Sequence, residues 1–405
     1  MRDQKNRPSR SGFKILSSPQ TPKTQFPPAW LWLVDEAIPT WVKKTYSPKE
    51  TWKDKPFSNE DAGFFFRGIE ELSELFTEER SRGLANYFNH PKFRSSYLLY
   101  FLPLQAAKFL TLYQLHPQAI EAAVSEAETQ GVMRIVDLGA GPGTASLSLL
   151  LFLLGLKIPE ERFPKKIQLD WFDTQAGIMT DGKALAEQLA SHFPKLRGRL
   201  EVHTHCQPWW KATDSLLGSG PKPALILMGH VLNESSLPQK EQNEFWHSLM
   251  KAQGGGGVLW VEPAARRPSQ GLSQLRDLLF ESETLPQTPT RIWGPCLHAG
   301  ACPLSSGRDW CHFSTSASIP GVWFRKFSEG LGSERHWLKF SYLWVSSEQY
   351  PAPQPAPRLR RVVSDPLDAS SGRPTLLLCE PQTVKRWSVT QKTSIGRGDL
   401  FQIDP

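Results

Sequence analysis

The sequence predicts an α/β protein: a parallel sheet with helices on both faces, a helical region before it, a cysteine-rich insertion late in it and a small all-β extension at the end. Three observations predict this. Short apolar runs alternate with helical or loop segments between residues 134 and 263, the pattern of strands joined by crossover helices. The first run ends in a glycine loop that opens a helix. Four of the five cysteines lie at or beyond residue 296, in segments where the alternation lapses.

Residues 1–28 are rich in Pro, Ser and Lys and are expected to be disordered until bound. Residues 1–25 carry Arg2, Lys5, Arg7, Arg10, Lys14 and Lys23 against Asp3 alone. A solvated tail and a nucleic-acid arm both fit that charge. From 29 to 128 the period becomes helical. FFFRGIEELSELF (64–76) spaces its apolar residues by three or four, and 97–115 is a more buried helix predicted to break near Pro103. The helix over 117–130 begins with a proline, where a missing N–H costs nothing.

The period then shortens. RIVDLGAG (134–141), KIQLDWFD (166–173), RLEVHTH (199–205), ALILMGHV (224–231) and GGVLWVEP (256–263) read as strands of one domain spanning 129–349. A short helix over 274–280 leads into the cysteine loop of 291–313, and KFSYLWV (339–345) returns as a strand. A Pro-rich linker at 350–357 opens the extension, 350–405, with β-like runs RRVVS, TLLLCEP, VKRWSVTQ and DLFQI.

Composition narrows the function classes. Hydrophobic residues make up 39% and charged residues 21%, enough for a core. The start has no apolar h-region, and the apolar stretch 147–156 is about half a membrane span, so no membrane partner is expected. Five cysteines without a secretory signal argue for thiolate chemistry in a reducing compartment. A net charge of +7 favours a polyanionic partner. Most of the 15 tryptophans should pack, and some suit stacking on exposed bases.

Asp137-Leu138-Gly139-Ala140-Gly141-Pro142-Gly143 follows a strand and opens a helix near Thr144. Glycines there tolerate positive φ and let backbone approach a ligand, while the helix start offers free N–H groups. The G-x-G-x-G form preceded by Asp differs from the dinucleotide fingerprint, and Pro142 lacks an N–H that a pyrophosphate cradle would use. The loop resembles motif I of class I S-adenosylmethionine-dependent methyltransferases, where it cradles the methionyl part of the cofactor. The resemblance implies a class I methyltransferase (Rossmann-like) sheet and cofactor binding by Asp137, Gly139, Ala140, Gly141 and Gly143. An acid at the end of the second strand should accept the ribose hydroxyls. Asp173 is the choice, with Asp170 a weaker candidate earlier in the strand.

Catalytic residues are less visible. Where amino-directed methyltransferases carry Asn/Asp-Pro-Pro-aromatic, this chain reads Gly229-His230-Val231-Leu232-Asn233-Glu234. His230, Asn233 and Glu234 are the candidates for positioning a substrate, and Asn233 equally suits a helix cap. Cys206 lacks the Pro-Cys context of a cytosine-C5 nucleophile and reads as a small buried hydrophobe.

Cys296-x5-Cys302-x8-Cys311 and the distant Cys379 form one pattern in Gly- and Pro-rich sequence. Four soft thiolates suit a [4Fe–4S] cluster or structural zinc. Wide, irregular spacing and the absence of a C-x2-C knuckle favour the cluster. Zinc with His298 or His312 replacing a thiolate, and unliganded buried thiols, remain alternatives. Trp310, Phe313 and Leu304 are expected to keep the site dry, and Arg308, Arg325, Lys326 and Lys339 to give this half a cationic face.

Taken together, DLGAGPGTA, HVLNE, VEPA, GPCxxxxxCP, DWCHFS and KFSYL resemble one family over roughly 95–405: the methyltransferase-like mitochondrial small-ribosomal-subunit factors and their bacterial homologues. The resemblance implies an assembly or maturation factor on the small ribosomal subunit and its rRNA, with S-adenosylmethionine and a [4Fe–4S] cluster held by Cys296, Cys302, Cys311 and Cys379. The protein is expected to be monomeric off the ribosome. Its compartment would be the bacterial cytoplasm, or the mitochondrial matrix in a eukaryote. An active rRNA methyltransferase and an iron- or redox-responsive RNA-binding regulator are the other readings of these residues.

Overall fold

The alternating apolar runs become adjacent strands. In the computed structural model, the described residues are 24–78, 87–156, 158–218, 220–232, 238–281, 290–316, 318–332, 337–347, 359–367, 375–388 and 396–402. β1 (Met133–Leu138), β2 (Ile167–Asp173), β3 (Leu200–Cys206), β4 (Leu225–Gly229) and β5 (Val258–Pro263) pair in parallel in the order β3-β2-β1-β4-β5. Every residue of β1 is buried, as expected for a central strand covered on both faces. The strand order reverses between β1 and β4, and the crevice beyond their C-terminal ends is where open α/β sheets bind ligands.

β6 (Thr290–Gly294), β7 (Phe313–Ser316) and β8 (Trp337–Ser347) complete this sheet. β8 runs antiparallel to β5, while β6 and β7 both pair with β8, at its residues 344–347 and 337–340. β9 (Leu359–Val362), β10 (Thr375–Glu380), β11 (Thr383–Ser388) and β12 (Leu400–Gln402) form the expected second sheet, antiparallel in the order β11-β10-β9-β12.

Helices cover both faces. Thr144–Gly155 is buried from Thr144 through Leu153 and packs against Leu102–Leu115. Arg266–Glu281 is longer than the expected 274–280 and lies against β5 and β8. Among the described residues no helix is long and apolar enough to cross a membrane.

Two expectations fail here. Pro103 does not break its helix. Tyr97–Phe101 is a π-turn in which Leu102 N–H reaches back to Tyr97 O. Proline then falls at the second position of Leu102–Leu115, where the shifted register absorbs its missing donor. The tail also ends earlier than residue 28. Residues 1–23 lie outside the described residues, but Thr24 is buried with its hydroxyl 2.6 Å from that of Thr111, and a helix starts at Pro28. The linker 350–357 lies outside the described residues too.

The N-terminal helices are fastened by polar side chains. Trp41 Nε1 donates to Asp181 Oδ1 at 3.0 Å, Tyr46 hydroxyl donates to Asp181 Oδ2, and Arg94 Nε donates to Tyr46 at 3.0 Å. Lys43 and Asp61 form a buried ion pair at 2.6 Å. Such pairs fix geometry and are costly to break singly.

Candidate cofactor cavity and cysteine site

The glycine loop sits at the switch point, and each glycine has its own reason. Gly139, Gly141 and Gly143 all have positive φ, +71°, +53° and +69°, a region L side chains avoid. A Cβ at Gly139 would lie 2.0 Å from Val231, and one at Gly143 2.1 Å from the Trp171 ring. At Gly141 the nearest atom, on Phe88, is 3.9 Å away. Its backbone therefore faces a cavity of about 830 Å³, whose lining includes Asp137, Ala140, Asp173, His230 and Lys108.

The two predicted acids hold this loop from opposite sides. Asp137 Oδ2 accepts from Ser146 N at 3.1 Å and from its hydroxyl at 2.7 Å, pinning the first turn of the helix. Burial is the main reason the Asp137 carboxyl is pushed up to about 7. Asp173 Oδ2 accepts the Gly141 amide at 2.9 Å, and Oδ1 accepts the Gln175 amide at 2.9 Å. Burial also raises Asp173. The Asp173 carboxylate retains acceptor capacity for an incoming hydroxyl. Thr144 Oγ1, buried at the cavity wall, has no partner among the described residues. An open backbone cradle, a buried and a half-buried acid and an orphaned hydroxyl fit a cationic, hydroxyl-bearing cofactor.

Asp170 is elsewhere. Its carboxylate pairs with Arg134 Nε at 2.6 Å inside the sheet and with His203 at 3.2 Å. Burial works against its charge, yet His205 and Arg134 more than offset that and hold the carboxyl at about 2. It is a structural ion-pair member, not a ribose ligand.

His230 follows β4 and lines the cavity with φ +63°, its Nε2 3.0 Å from Gln105 Oε1. Left-handed backbone at a non-glycine residue concentrates at functional sites. Asn233 and Glu234 lie outside the described residues. Gln105 and Lys108, which also line the cavity, were not predicted. Their signal was there: two polar residues three apart on an apolar helix, where one helical face turns toward something polar. Cys206 departs from expectation. It is exposed, with Sγ 3.6 Å from Thr174 O, because β3 is the sheet's edge strand and alternate side chains leave the core.

The four late cysteines share one neighbourhood. Cys296 follows β6, Cys302 and Cys311 lie on the loop toward β7, and β10 brings Cys379. Cys311 lies close enough to the other three for their charges to act on its thiol. Burial is the largest cause raising each, Cys296 to about 11 and Cys379 to about 12. Among the described residues, no three Cys, His, Asp or Glu side chains converge as ligands of one ion.

The two sheets meet at this loop. Arg361 Nε donates to Pro295 O at 2.8 Å, and Gln382 N donates to Ala301 O at 3.2 Å. His298 Nε2 lies 3.4 Å from Cys379 Sγ, whereas His312 stacks on Trp310. Leu304 and Phe313 are buried, and Trp310 Nε1 donates to Ala264 O at 2.8 Å. Behind the thiols Arg276, fully buried, donates to His298 O at 2.6 Å and pairs with Asp277, while its Nε has no partner among the described residues. The four thiols are half-buried, and their chemistry is that of soft ligands for a thiolate-bound group.

The expected cationic face is divided. Arg325 and Lys326 belong to Val322–Gly330, which packs on the N-terminal helices, and Lys326 donates to Asn59 Oδ1 at 2.6 Å. Lys339 sits on β8 among the cavity's lining residues.

No curated protein matches the chain. Distantly similar solved structures include the following three. An S-adenosylmethionine-dependent methyltransferase from Agrobacterium tumefaciens is 11% identical, with 57% of this chain and 62% of that one covered and a TM-score of 0.31. An O-methyltransferase family protein from Burkholderia thailandensis is 15% identical, with 71% of each chain covered and a TM-score of 0.30. An S-adenosylmethionine-dependent methyltransferase from Clostridium acetobutylicum is 11% identical, with 68% and 72% covered and a TM-score of 0.25. The family described as mitochondrial small ribosomal subunit Rsm22 matches residues 106–403, most of the chain, and the protein belongs to that family.

Proposed function

We propose that the protein is an assembly or maturation factor of the small ribosomal subunit that binds its rRNA, holds S-adenosylmethionine at the glycine loop and carries a structural [4Fe–4S] cluster on Cys296, Cys302, Cys311 and Cys379. The observation that carries this reading is the extent of the family match: residues 106–403 include the glycine loop, Asp173, His230 and all four cysteines.

In the cavity, the open Gly141 backbone and the helix start at Thr144 receive the methionyl end, and Asp173 accepts the ribose hydroxyls. Asp137 and Asp173 offset the positive charge of the cofactor. S-adenosylmethionine would supply an electrophilic methyl group. The bond between Gly141 and Asp173 supports binding, since it keeps loop and acid in register before the cofactor arrives.

At the cysteine site the cluster serves as a clamp. Three ligands come from the loop beside the large sheet and one from the small sheet, so one group would staple the extension to the core. A single tetrahedral zinc would draw its sulfurs to about 3.8 Å from one another. A cluster accepts thiolates spread around a larger body.

The catalytic reading, an rRNA methyltransferase, has one observation in its favour: His230, with left-handed backbone, faces the same cavity. Complementation separates the two readings. In cells lacking the protein, the Asp173→Ala variant is expected to restore small-subunit levels after losing the cofactor. Failure to restore them, together with a missing rRNA methyl group, would establish the enzyme instead.

A further inference from the structure

We propose that single-stranded RNA lies across the C-terminal edge of the large sheet, its backbone in a groove at Arg266 and Arg267 and one unstacked base on Trp337 at the cavity mouth. The inference rests on the rRNA-binding reading above and names the form of RNA and the surface that takes it.

The cavity is longer than the glycine loop requires. Its lining runs from Asp173 on β2 to Trp337 and Lys339 on β8. β1, β4 and β5 lie between those strands, a span of roughly 19 Å at the usual strand spacing. Pro263, the last residue of β5, pairs with Phe340, so Trp337, Leu338 and Lys339 overhang that end. Leu338 is buried, while Trp337 and Lys339 alternate onto the opposite, exposed side. Trp337 is 59% exposed, the only exposed tryptophan among the described residues. An open indole beside an ammonium group offers a base its stacking face and a phosphate its counter-charge.

A groove of about 510 Å³ continues from this mouth. Val231 and Ala265 line the cavity, and the next residues along the chain, Leu232 and Arg266, line the groove. The two openings thus adjoin beyond the ends of both β4 and β5. Arg266 and Arg267 are exposed, and the Arg267 guanidinium has no partner among the described residues. Gln270 donates to the carbonyls of Gly307 and Asp309 at 3.1 and 3.3 Å, which holds the exposed Arg308 beside the groove. Against these three guanidiniums the segment 305–309 carries one acid, Asp309.

Gly271 adds an independent observation. It lines the groove from inside the helix Arg266–Glu281, where glycine is less favourable than alanine. A Cβ there would meet nothing within 4 Å, so packing within the protein does not call for glycine. Bare backbone at that point lets a ligand chain approach closely. A single strand fits both openings, because a base must present its face to reach Trp337, and in a duplex the bases are stacked on one another.

The test measures binding of fluorescent oligouridine, alone and annealed to oligoadenosine, to the full-length chain over a range of salt. Transcribed small-subunit rRNA serves as the reference ligand. The single strand is expected to bind more tightly than the duplex. Trp337→Ala should weaken it at least about fivefold with the salt slope unchanged, and Trp337→Phe should recover most of that loss. Arg267→Gln should flatten the slope of log K against log salt by about 0.7, the share of one phosphate contact. Gly271→Glu should weaken binding and keep the wild-type unfolding midpoint. Equal affinity for single strand and duplex, or unchanged affinity in Trp337→Ala or in Gly271→Glu, overturns the inference. If Trp337→Ala fails to fold, Gly271→Glu and Arg267→Gln still decide it. Wild-type protein that binds the rRNA but not oligouridine overturns this track alone, whereas protein that binds neither overturns the rRNA reading itself.

Discussion

Asp173 accepts the amide of Gly141 at 2.9 Å, joining the end of β2 to the middle of the glycine loop that follows β1. One side chain thus orders the loop and stands ready at the cavity. Asp173→Ala removes a charge-assisted bond of about 1.5–3 kcal/mol and a cofactor acceptor together. S-adenosylmethionine affinity by calorimetry should fall at least tenfold. An unchanged affinity would remove Asp173 from the site.

Cofactor binding should be coupled to protons through Asp137. Burial is the main cause raising its carboxyl from 3.8 to about 7. A raised carboxyl makes its stability contribution in the protonated state. That contribution is full below the unfolded value and is lost as pH rises through the folded value. A cationic cofactor favours the ionised form, so binding should release protons and strengthen between pH 5 and pH 7, by up to about tenfold per pH unit. Calorimetry in two buffers of different ionisation heat measures that release. Binding that is flat over this range contradicts the role given to Asp137.

Two glycines with similar backbone should respond differently to alanine. Gly131 has φ +76° with nothing within 4 Å of a Cβ, whereas Gly143 has φ +69° with the Trp171 ring 2.1 Å away. Gly131→Ala bears backbone strain of about 1 kcal/mol. Gly143→Ala adds an overpacking cost of about 1–3 kcal/mol. Denaturant unfolding should therefore rank Gly143→Ala clearly below Gly131→Ala in stability, and equal losses would mean the ring moves aside.

The two aspartates of β2 should separate structure from binding. Asp170→Ala strands Arg134 in the sheet and should cost about 3–5 kcal/mol, with cofactor affinity kept in the folded fraction. Asp173→Ala should lose cofactor affinity at a smaller cost in stability, that of its bond to Gly141. The carboxyl of Asp170 is held at about 2, so its contribution is present above its unfolded value and is lost only as pH falls toward that folded value. An Asp170→Ala protein with wild-type stability would contradict the structural assignment.

Much of this architecture was legible because its signals are periodic. β1 to β5 are apolar runs closed by Gly, Asp or Pro, and each was visible. β6 and β7 were not. They are short strands within or beside Gly- and Pro-rich sequence and become strands by pairing with β8, where tertiary context overrides propensity. The break at Pro103 was misread because a π-turn leaves no mark in composition. The cysteines were legible as a set because thiolate chemistry is scarce. Arg276 was hidden, since on an amphipathic helix a buried arginine looks like any polar-face residue. His230 was found by its position after β4, but its pairing with Gln105 joins residues far apart in sequence.

Association with the small ribosomal subunit is tested most directly by ultraviolet crosslinking of the full-length protein in growing cells, followed by sequencing of the attached RNA. The account predicts crosslinks concentrated on small-subunit rRNA, in the wild type and in Asp173→Ala alike. Crosslinks spread over transfer and messenger RNA, or none above background, would contradict it.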